Sequence, residues 1–410
     1  MVKTSGPVTL ETLPRHVSKE LVRPFPFPLG RATTDNPYRT LIPELIDGPA
    51  AFYTLDGYHG MGPLWVFRRL QDIEAIYLDT EHFSNRDFAP FAELEGGNWN
   101  LVPAESDPPL HTFHRSMMNP LFTPKRMAAV DASIRKMARD VIEDFKDKGE
   151  CDFVRDMALR YPIAVFLGLM DLPMSRIDQF LDWEFKLIHP KSIAEAREAT
   201  IAVVAFLREL IGQRRLQPGD DLVSYAISAD VQGRGLDENE LLGFCFNLFI
   251  GGLDTVSTNL GWQVRHLAEH PKHQAALRQN PAQIPDAIEE LLRAYAAVTT
   301  NRRCIKETTI NGIKLMPGDM IALPTPLANN DPEAFDEPQT VKLDRKPRHL
   351  SFGGGVHRCL GAALARRELV IGLTELLAAL PPFRVADGAV ITSHIAFIIQ
   401  LENLPLVWSH

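Results

Sequence analysis

A cysteine in a glycine-rich loop is the residue of this sequence best placed to do chemistry. Residues 352–361 read Phe-Gly-Gly-Gly-Val-His-Arg-Cys-Leu-Gly, and an amphipathic stretch that ends at Pro381 follows them. Consecutive glycines let a backbone approach a flat partner closely. Cys359 stands where a helix is predicted to begin, and the helix dipole and free N–H groups there favour a thiolate. Such a thiolate is a ligand for a soft or borderline metal such as haem iron. We therefore expect residues 352–381 to form a cysteine-ligand loop and its following helix.

Two other interpretations of this loop are open on spacing alone. A glycine loop with a small buried cysteine is the commoner arrangement. A structural zinc site could use Cys359 and His357, but no convergent set of four ligands accompanies them. The remaining cysteines, Cys151, Cys245 and Cys304, are scattered and form no CxxC pair. This excludes a disulfide framework and is typical of a reducing compartment.

A long buried helix is predicted over residues 237–270. Asp237 and Glu240 match the capping-box pattern, and Pro271 follows directly after the segment. At 1.5 Å per residue such a helix runs for about 50 Å, which is long enough to cross a whole domain. Its middle is apolar nearly all round, which predicts burial on every side.

Asp254 and Thr255 lie side by side in the middle of this helix. A carboxyl group and a hydroxyl group together suit proton delivery. A threonine inside a helix more often bonds the carbonyl one turn back, whereas an unpaired buried aspartate is costly and needs a reason. Gly251 and Gly252 weaken the helix there by about 1 kcal/mol each relative to alanine. A groove that admits a small molecule would account for that cost.

The rest of the chain predicts a mainly helical protein with small peripheral sheets. The apolar spacing is mostly helical from about residue 124 to residue 270, Leu64–Phe67 reads as a strand, and Asn311-Gly312 marks a tight hairpin. No repeats or linkers are present, so we expect one domain over residues 1–410. Residues 1–60, rich in proline and glycine, are expected to form an irregular N-terminal wrap.

Composition narrows the class of protein. The 410 residues include 43 basic and 52 acidic ones, a formal net charge of −9, which argues against a nucleic-acid-binding protein. With 45% hydrophobic residues the chain can bury a sizeable core. The N-terminus lacks the layout of a signal peptide, and no apolar run reaches the ~18 residues of a membrane span. We expect a cytoplasmic protein without membrane contact.

Taken together, these segments resemble the cytochrome P450 family of haem-thiolate monooxygenases. The loop meets the family spacing F-x-x-G-x-x-x-C-x-G, the long helix carries a segment similar to the oxygen-activation motif, and an E-x-x-R pair stands between them. These motifs are met at Phe352, Gly355, Cys359 and Gly361, at Gly251–Thr255, and at Glu290 and Arg293. The resemblance covers nearly the whole chain and is strongest to the bacterial camphor hydroxylase subgroup.

The resemblance implies the mainly α cytochrome P450 fold, a haem b cofactor and a monooxygenase reaction. One atom of O2 would enter an unactivated C–H bond and the other would leave as water. Cys359 would ligate the iron, Asp254 and Thr255 would be catalytic, and Glu290 and Arg293 would be structural. By family position the residues that bind the cofactor would be His111, Arg115, Gly251, Arg302, Phe352, His357 and Gly361.

The substrate pocket is where the chain departs from the camphor pattern. Camphor hydroxylases carry a tyrosine that holds the substrate ketone, and here Trp99 stands in its place. An indole N–H can also donate to a carbonyl, and Asn247 offers a second polar contact. We expect a terpenoid or norisoprenoid ketone such as an ionone, unless Trp99 is simply core and Asn247 a satisfied helix amide. The apolar wall would comprise Phe88, Phe91, Ile250, Val298, Ile395 and Ala396.

A basic segment around the cysteine loop predicts the electron donor. Between residues 342 and 367 only Asp344 opposes seven basic side chains, and such an asymmetry suits the docking of an acidic protein. The family resemblance names that donor as a [2Fe–2S] ferredoxin served by an NAD(P)H-dependent reductase. A haem-thiolate ligand sensor is the alternative function, and it would not need Asp254 and Thr255 together. The basic residues are Lys342, Arg345, Lys346, Arg348, Arg358, Arg366 and Arg367.

Overall fold

Helices make up most of the structure. The computed structural model describes residues 9–25, 36–57, 62–395 and 397–409. Within these ranges the α-helices are α1 (Leu41–Ile46), α2 (Leu70–Leu78), α3 (Phe91–Glu95), α4 (Leu110–Met118), α5 (Pro124–Ala129), α6 (Asp131–Glu143), α7 (Arg160–Leu169), α8 (Ile177–Ile188), α9 (Ile193–Leu216), α10 (Leu222–Ser228), α11 (Glu238–Glu269), α12 (Pro271–Gln279), α13 (Ile284–Ala294), α14 (Thr325–Ala328) and α15 (Ala362–Ala379).

The strands form small sheets at the periphery. The largest has the order β1-β2-β8-β5-β3, with β2 and β8 parallel and its other pairs antiparallel. A second has the order β4-β12-β9, and β6-β7 and β10-β11 are two-stranded. The strands are β1 (Ala51–Thr54), β2 (Leu64–Phe67), β3 (Phe83–Ser84), β4 (Glu150–Asp152), β5 (Thr299–Cys304), β6 (Thr308–Ile310), β7 (Ile313–Leu315), β8 (Met320–Pro324), β9 (Phe383–Val385), β10 (Ser393–Ile395), β11 (Ile399–Leu401) and β12 (Pro405–Trp408).

Helix α11 is the predicted central helix, and it has the predicted ends. Asp237 is the N-cap: its Oδ1 accepts from the Glu240 N–H at 2.8 Å, and the Asp237 N–H donates to Glu240 Oε2 at 3.0 Å. His270 is the C-cap, directly before Pro271. By length and composition α11 would pass for a membrane span, but 67% of its most apolar window is buried inside the protein. It is therefore a core helix, and it contacts α7, α9, α13 and α15.

Two local predictions are confirmed, and one needs correction. The strand at Leu64–Phe67 forms as β2. The β6–β7 hairpin turns at Asn311 and Gly312, whose φ angles of 47° and 78° are those a tight Asn-Gly turn requires. The N-terminal wrap over residues 1–60 is not irregular throughout, because its described part contains α1 and β1. Strand β1 forms because all four of its side chains are buried and its backbone pairs with β2.

Candidate functional site

The glycine loop passes close under α2. Gly353 and Gly355 have φ angles of 67° and 63°, in the left-handed region that favours glycine. A Cβ atom on Gly355 would lie 2.0 Å from the carbonyl oxygen of Tyr77, so no side chain fits there. The sequence predicted these glycines as a surface for a flat partner. The close approach at Gly355 is instead to the backbone of α2, and it holds the loop in place.

Cys359 lies at the end of this loop, just before α15. Its N–H donates to the Phe352 carbonyl at 2.9 Å, which closes the loop. The residue is exposed by surface area, yet burial among protein atoms raises the pKa of its thiol. Both statements hold if the side chain faces an internal cleft. The Gly361 N–H and the charge of Arg115 lower this pKa, but by less than burial raises it. Within the protein chain itself, burial therefore outweighs the predicted preference for a thiolate.

Four basic side chains gather near the cysteine. The rings of His111 and His357 lie 4.2 Å apart. Burial, with Arg302, His111 and Arg115 nearby, lowers the pKa of His357 to about 2, and burial together with Arg115 and His114 lowers that of His111 to about 4. Arg302 is only 6% exposed. No carboxylate of the described residues lies within ion-pair distance of its guanidinium. Neighbouring cations and burial thus disfavour charge on both histidines.

This arrangement fits the two carboxylates of a haem. Within the described part of the chain, the buried Nε2 atom of His111 has no hydrogen-bond partner, and Arg302 donates from Nη1 only to the adjacent Asn301 carbonyl at 2.7 Å. Buried donors without acceptors are costly, and an anionic group placed among them would satisfy them. The predicted cofactor residues His111, Arg115, Arg302 and His357 are therefore brought together. Among the described residues no group of three or more His, Cys, Asp or Glu side chains is placed to hold a metal ion.

Asp254 and Thr255 occupy the middle of α11 next to open space. The Thr255 hydroxyl donates to the Gly251 carbonyl at 3.2 Å, the local bond that the sequence offered as an alternative to catalysis. Gly251 is exposed, and a Cβ atom there would meet nothing within 4 Å. A Cβ atom on Gly252 would lie 3.3 Å from the Phe166 ring, so Gly252 serves packing with α7. Gly251 alone of the two borders a groove.

A buried acid network surrounds Asp254, and sequence reasoning missed it. Asp254 is 2% exposed, and its Oδ1 accepts from Gln400 Nε2 at 2.5 Å. Gln400 Oε1 in turn lies 2.7 Å from His189 Nε2. Burial raises the pKa of Asp254, although His189 and the Gln400 bond lower it in part. Glu184, on α8, is a second buried acid beside it. The available signal was the spacing of Glu184 with the buried apolar residues Phe180 and Leu187 on one face of α8.

The E-x-x-R pair is a buried ion pair rather than a surface one. Glu290 and Arg293 are both 0% exposed. Arg293 donates to the two carboxylate oxygens of Glu290 at 2.8 Å each and also to the carbonyls of Asn329 and Pro338. This pair therefore ties α13 to the segment that leads to the cysteine loop, which agrees with the structural role expected of Glu290 and Arg293.

Two residues predicted to make polar contacts to the substrate have hydrogen-bond partners inside the protein. Trp99 is 4% exposed and packs 4.8 Å from the Phe246 ring, and its Nε1–H donates to Glu95 Oε2 at 3.1 Å. Asn247 donates from Nδ2 to the Val102 carbonyl at 3.2 Å. Both donors are used inside the protein, because a buried polar group needs a partner. Trp99 is core and Asn247 is a satisfied helix amide.

The apolar residues predicted for the pocket fall into two groups. Phe88, Phe91 and Ile250 are partly buried and pack against the same core cluster as Trp99. Val298 and Ile395 belong to the large cluster around the C-terminal half of α11, where Val298 pairs with Ile398. Ala396 lies outside the described residues.

Most of the predicted basic segment is neutralised by acids from elsewhere in the chain. Arg366 pairs with Glu289, with Nε and Oε1 2.6 Å apart. Burial raises the pKa of Glu289, but the hydrogen bonds from His349 and Arg366 outweigh it and lower that pKa to about 2. Among the described residues only Lys346 and Arg358 of the seven lack an acidic partner. The other partnerships are Arg345–Glu290, Arg367–Asp131, Arg348–Glu74 and Lys342–Glu337.

Comparisons with known proteins agree with this geometry. A family model described as Cytochrome P450 matches residues 163–385. A probable cytochrome P450 127A1 of Sinorhizobium fredii is 36% identical over 408 residues, 98% of each chain. A steroid C26-monooxygenase of Mycobacterium tuberculosis is 35% identical over 316 residues, covering 74% of this chain and 85% of its own. The crystal structure of cytochrome P450 CYP101C1 superposes with a TM-score of 0.86 at 30% identity, covering 97% of this chain and 100% of its own. That of CYP101J2 gives the same score, identity and coverage of this chain, with 99% of its own covered.

Proposed function

This chain belongs to the cytochrome P450 family, and on that basis we propose that it hydroxylates a small apolar terpenoid or norisoprenoid with O2 and electrons from a [2Fe–2S] ferredoxin. The family makes it a monooxygenase that uses O2, a redox partner and haem b with a thiolate-ligated iron. When bound, the haem supplies the activation of O2. We assign the thiolate to Cys359 and treat residues 1–410 as one domain in the cytoplasm, where four free cysteines are stable.

The convergence of unpaired basic groups beside Cys359 is the observation that carries this proposal. His111, His357, Arg302 and Arg115 would hold the two haem carboxylates, and the Gly361 N–H would bond the cysteine sulfur, as second-shell donors do at other metal sites. On helix α11, Thr255 would orient oxygen and Asp254 would hold a proton. A ligand sensor would have no use for that acid, so the buried network around Asp254 favours the enzyme.

The proposed substrate class is based on the apolar residues of the predicted pocket rather than on a polar contact. Phe88, Phe91, Ile250, Val298 and Ile395 present hydrocarbon surface, and burial of about 25 cal/mol per Å² of apolar area would drive binding. We do not assign the ketone donor to Trp99, because its indole N–H donates to Glu95. A camphor-like or ionone-like compound is therefore expected to bind mainly by shape.

A substrate titration of the haem-loaded protein tests the proposal. Camphor, ionones and a larger steroid are added while the haem spin-state change is followed in the optical spectrum. We expect the terpenoids or norisoprenoids to produce the change at lower concentration than the steroid, the substrate class that a relative at 35% identity carries in its name. A response to the steroid alone would contradict the proposed substrate class. Haem binding with no product in the presence of ferredoxin, reductase and NAD(P)H would favour the sensor.

A further inference from the structure

Two buried carboxyl groups lie on neighbouring helices, and one of them is a helical turn from Gly251. Asp254 on α11 is 2% exposed and Glu184 on α8 is 7% exposed. The two helices are in contact, and the charge of Asp254 adds to burial in raising the pKa of Glu184 well above its ordinary value. Neither acid forms an ion pair with a Lys or Arg of the described residues, so no fixed cation balances them.

Each of the two acids has one oxygen without a partner. Asp254 Oδ1 accepts from Gln400, but Asp254 Oδ2 and Glu184 Oε1 are buried with no hydrogen bond to any residue that the structure describes. A buried acceptor left unpaired is costly, and two ionised carboxylates side by side are costlier still. A single proton between them removes both costs, because one carboxyl then donates and the other accepts.

We propose that Glu184 and Asp254 hold one proton between them, and that Glu184 is the positioning acid that resupplies Asp254. This inference rests on the proposed role of Asp254 as the proton donor that acts together with Thr255. After Asp254 gives up the shared proton, Glu184, the more exposed of the two, takes a proton from water and passes it to Asp254, which restores the singly protonated pair. No electrons are exchanged in these steps.

Gln400 and His189 hold the other oxygen of Asp254 in place. The Gln400 amide on β11 donates to Oδ1, and its carbonyl oxygen lies 2.7 Å from His189 Nε2 at the end of α8. His394 on β10 faces His189 with ring centroids 4.4 Å apart. An amide does not relay a proton readily, so this branch fixes the orientation of Asp254, and Glu184 is the acid on the supply side. Among the described residues, His189 is the titratable group on this branch that acts on Asp254, and His394 lies against His189.

The infrared spectrum of the haem-loaded protein tests the shared proton directly. A protonated buried carboxyl gives a C=O band that a carboxylate lacks. Glu368 is also buried with a raised pKa, so its band is first assigned with Glu368→Gln. We expect one further band at neutral pH in the wild type, its loss in Glu184→Gln, and a change of its frequency in Asp254→Asn. In Glu184→Gln the new amide and Gln400 both donate to Asp254, which then ionises, whereas in Asp254→Asn burial keeps Glu184 protonated beside a different partner.

A matched control and a functional arm complete the experiment. Asp182→Asn changes an exposed acid of the same helix, paired with Lys186, and should leave the band unchanged. In ferredoxin-driven turnover we expect Glu184→Gln to slow product formation about tenfold and shift its pH profile, because the acid acts through Asp254. Asp182→Asn should do neither. The double variant of Glu184 and Asp254 should be no slower than Asp254→Asn.

The outcomes separate this inference from the proposed function. A wild type without the additional band, or a band that persists in Glu184→Gln, overturns the shared proton whatever the enzyme does. Unchanged turnover and pH profile in Glu184→Gln overturn its part in resupply. If no substrate is hydroxylated at all, the proposed function fails, while the infrared result still decides whether the two acids share a proton.

Discussion

The indole Nε1–H of Trp99 donates to Oε2 of Glu95 at 3.1 Å, and the same carboxylate pairs with Arg208 through its other oxygen at 3.0 Å. Trp99 is thereby fixed in the core and its donor is used. Trp99→Phe should change the affinity for camphor or an ionone by less than about threefold, while lowering the free energy of unfolding by ~1 kcal/mol for the lost bond. Spectral titration and urea unfolding measure the two effects. A tenfold loss of ketone affinity with unchanged stability would show that the indole does meet the substrate.

Cys359 should be the iron ligand. Cys359→Ser removes the sulfur but keeps the size of the side chain, so the reduced carbonmonoxy form should lose its red-shifted Soret band. Cys304→Ser is the matched control, because Cys304 is a buried thiol bonded to the Lys306 carbonyl at 3.1 Å, and it should keep the band. Survival of the band in Cys359→Ser would refute the assignment.

Substitutions of Thr255 and Asp254 should affect the coupling of electron use to product and the rate of product formation differently. Thr255→Ala removes the hydroxyl beside the groove, so reducing equivalents should go to peroxide while substrate binding is kept. Asp254→Asn keeps the acceptor for Gln400 but loses the proton, and product formation should fall by about 10²-fold. Peroxide and product per NAD(P)H are measured together. Thr258→Val, which alters a buried hydroxyl of the same helix, should change neither value, and normal coupling in Thr255→Ala would count against the pair.

The electron donor should dock on the unpaired cations rather than on the whole basic segment. Lys346 is exposed, and Lys346→Glu should raise the KM for ferredoxin about threefold at low salt with little change in kcat. Arg366→Glu would place two acids together at Glu289, so it should lower the thermal midpoint as well. Steady-state rates across an ionic-strength series distinguish the two. A rate that ignores both salt and Lys346→Glu would place the docking face elsewhere.

Glu368 should make stability fall as pH rises. Burial raises its pKa well above the ordinary 4.5, and its Oε2 has no hydrogen-bond partner in the described ranges. The folded state then binds more protons than the unfolded state, so the free energy of unfolding decreases from about pH 5 upward. Glu368→Gln should flatten this decrease, leaving the part due to Glu184 and Asp254. Urea midpoints across pH measure it, with the exposed Asp220→Asn as a control. An equally steep fall in Glu368→Gln would show that Glu368 is ionised when buried.

Much of the fold could be predicted because local signals specify it. The capping box of Asp237 and Glu240 and the proline after His270 set both ends of α11, and the Asn311-Gly312 turn set a hairpin, since each acts within a few residues. The loop that presents Cys359 followed from spacing in the same way. These features depend on backbone geometry that neighbouring residues determine.

Only the tertiary structure decided which polar groups are free. Trp99 bonds to Glu95, Asn247 to the Val102 carbonyl, and Arg366 to Glu289. The last two partnerships join distant segments, so composition and spacing could not identify them. Asp254 looked like an isolated buried acid in sequence, whereas the fold places Gln400, 146 residues away, against it. The sequence determined which residues could do chemistry and the helix or loop that carries each. Packing determined which of them keep an unused donor or acceptor, because that depends on every chain segment that reaches the same place.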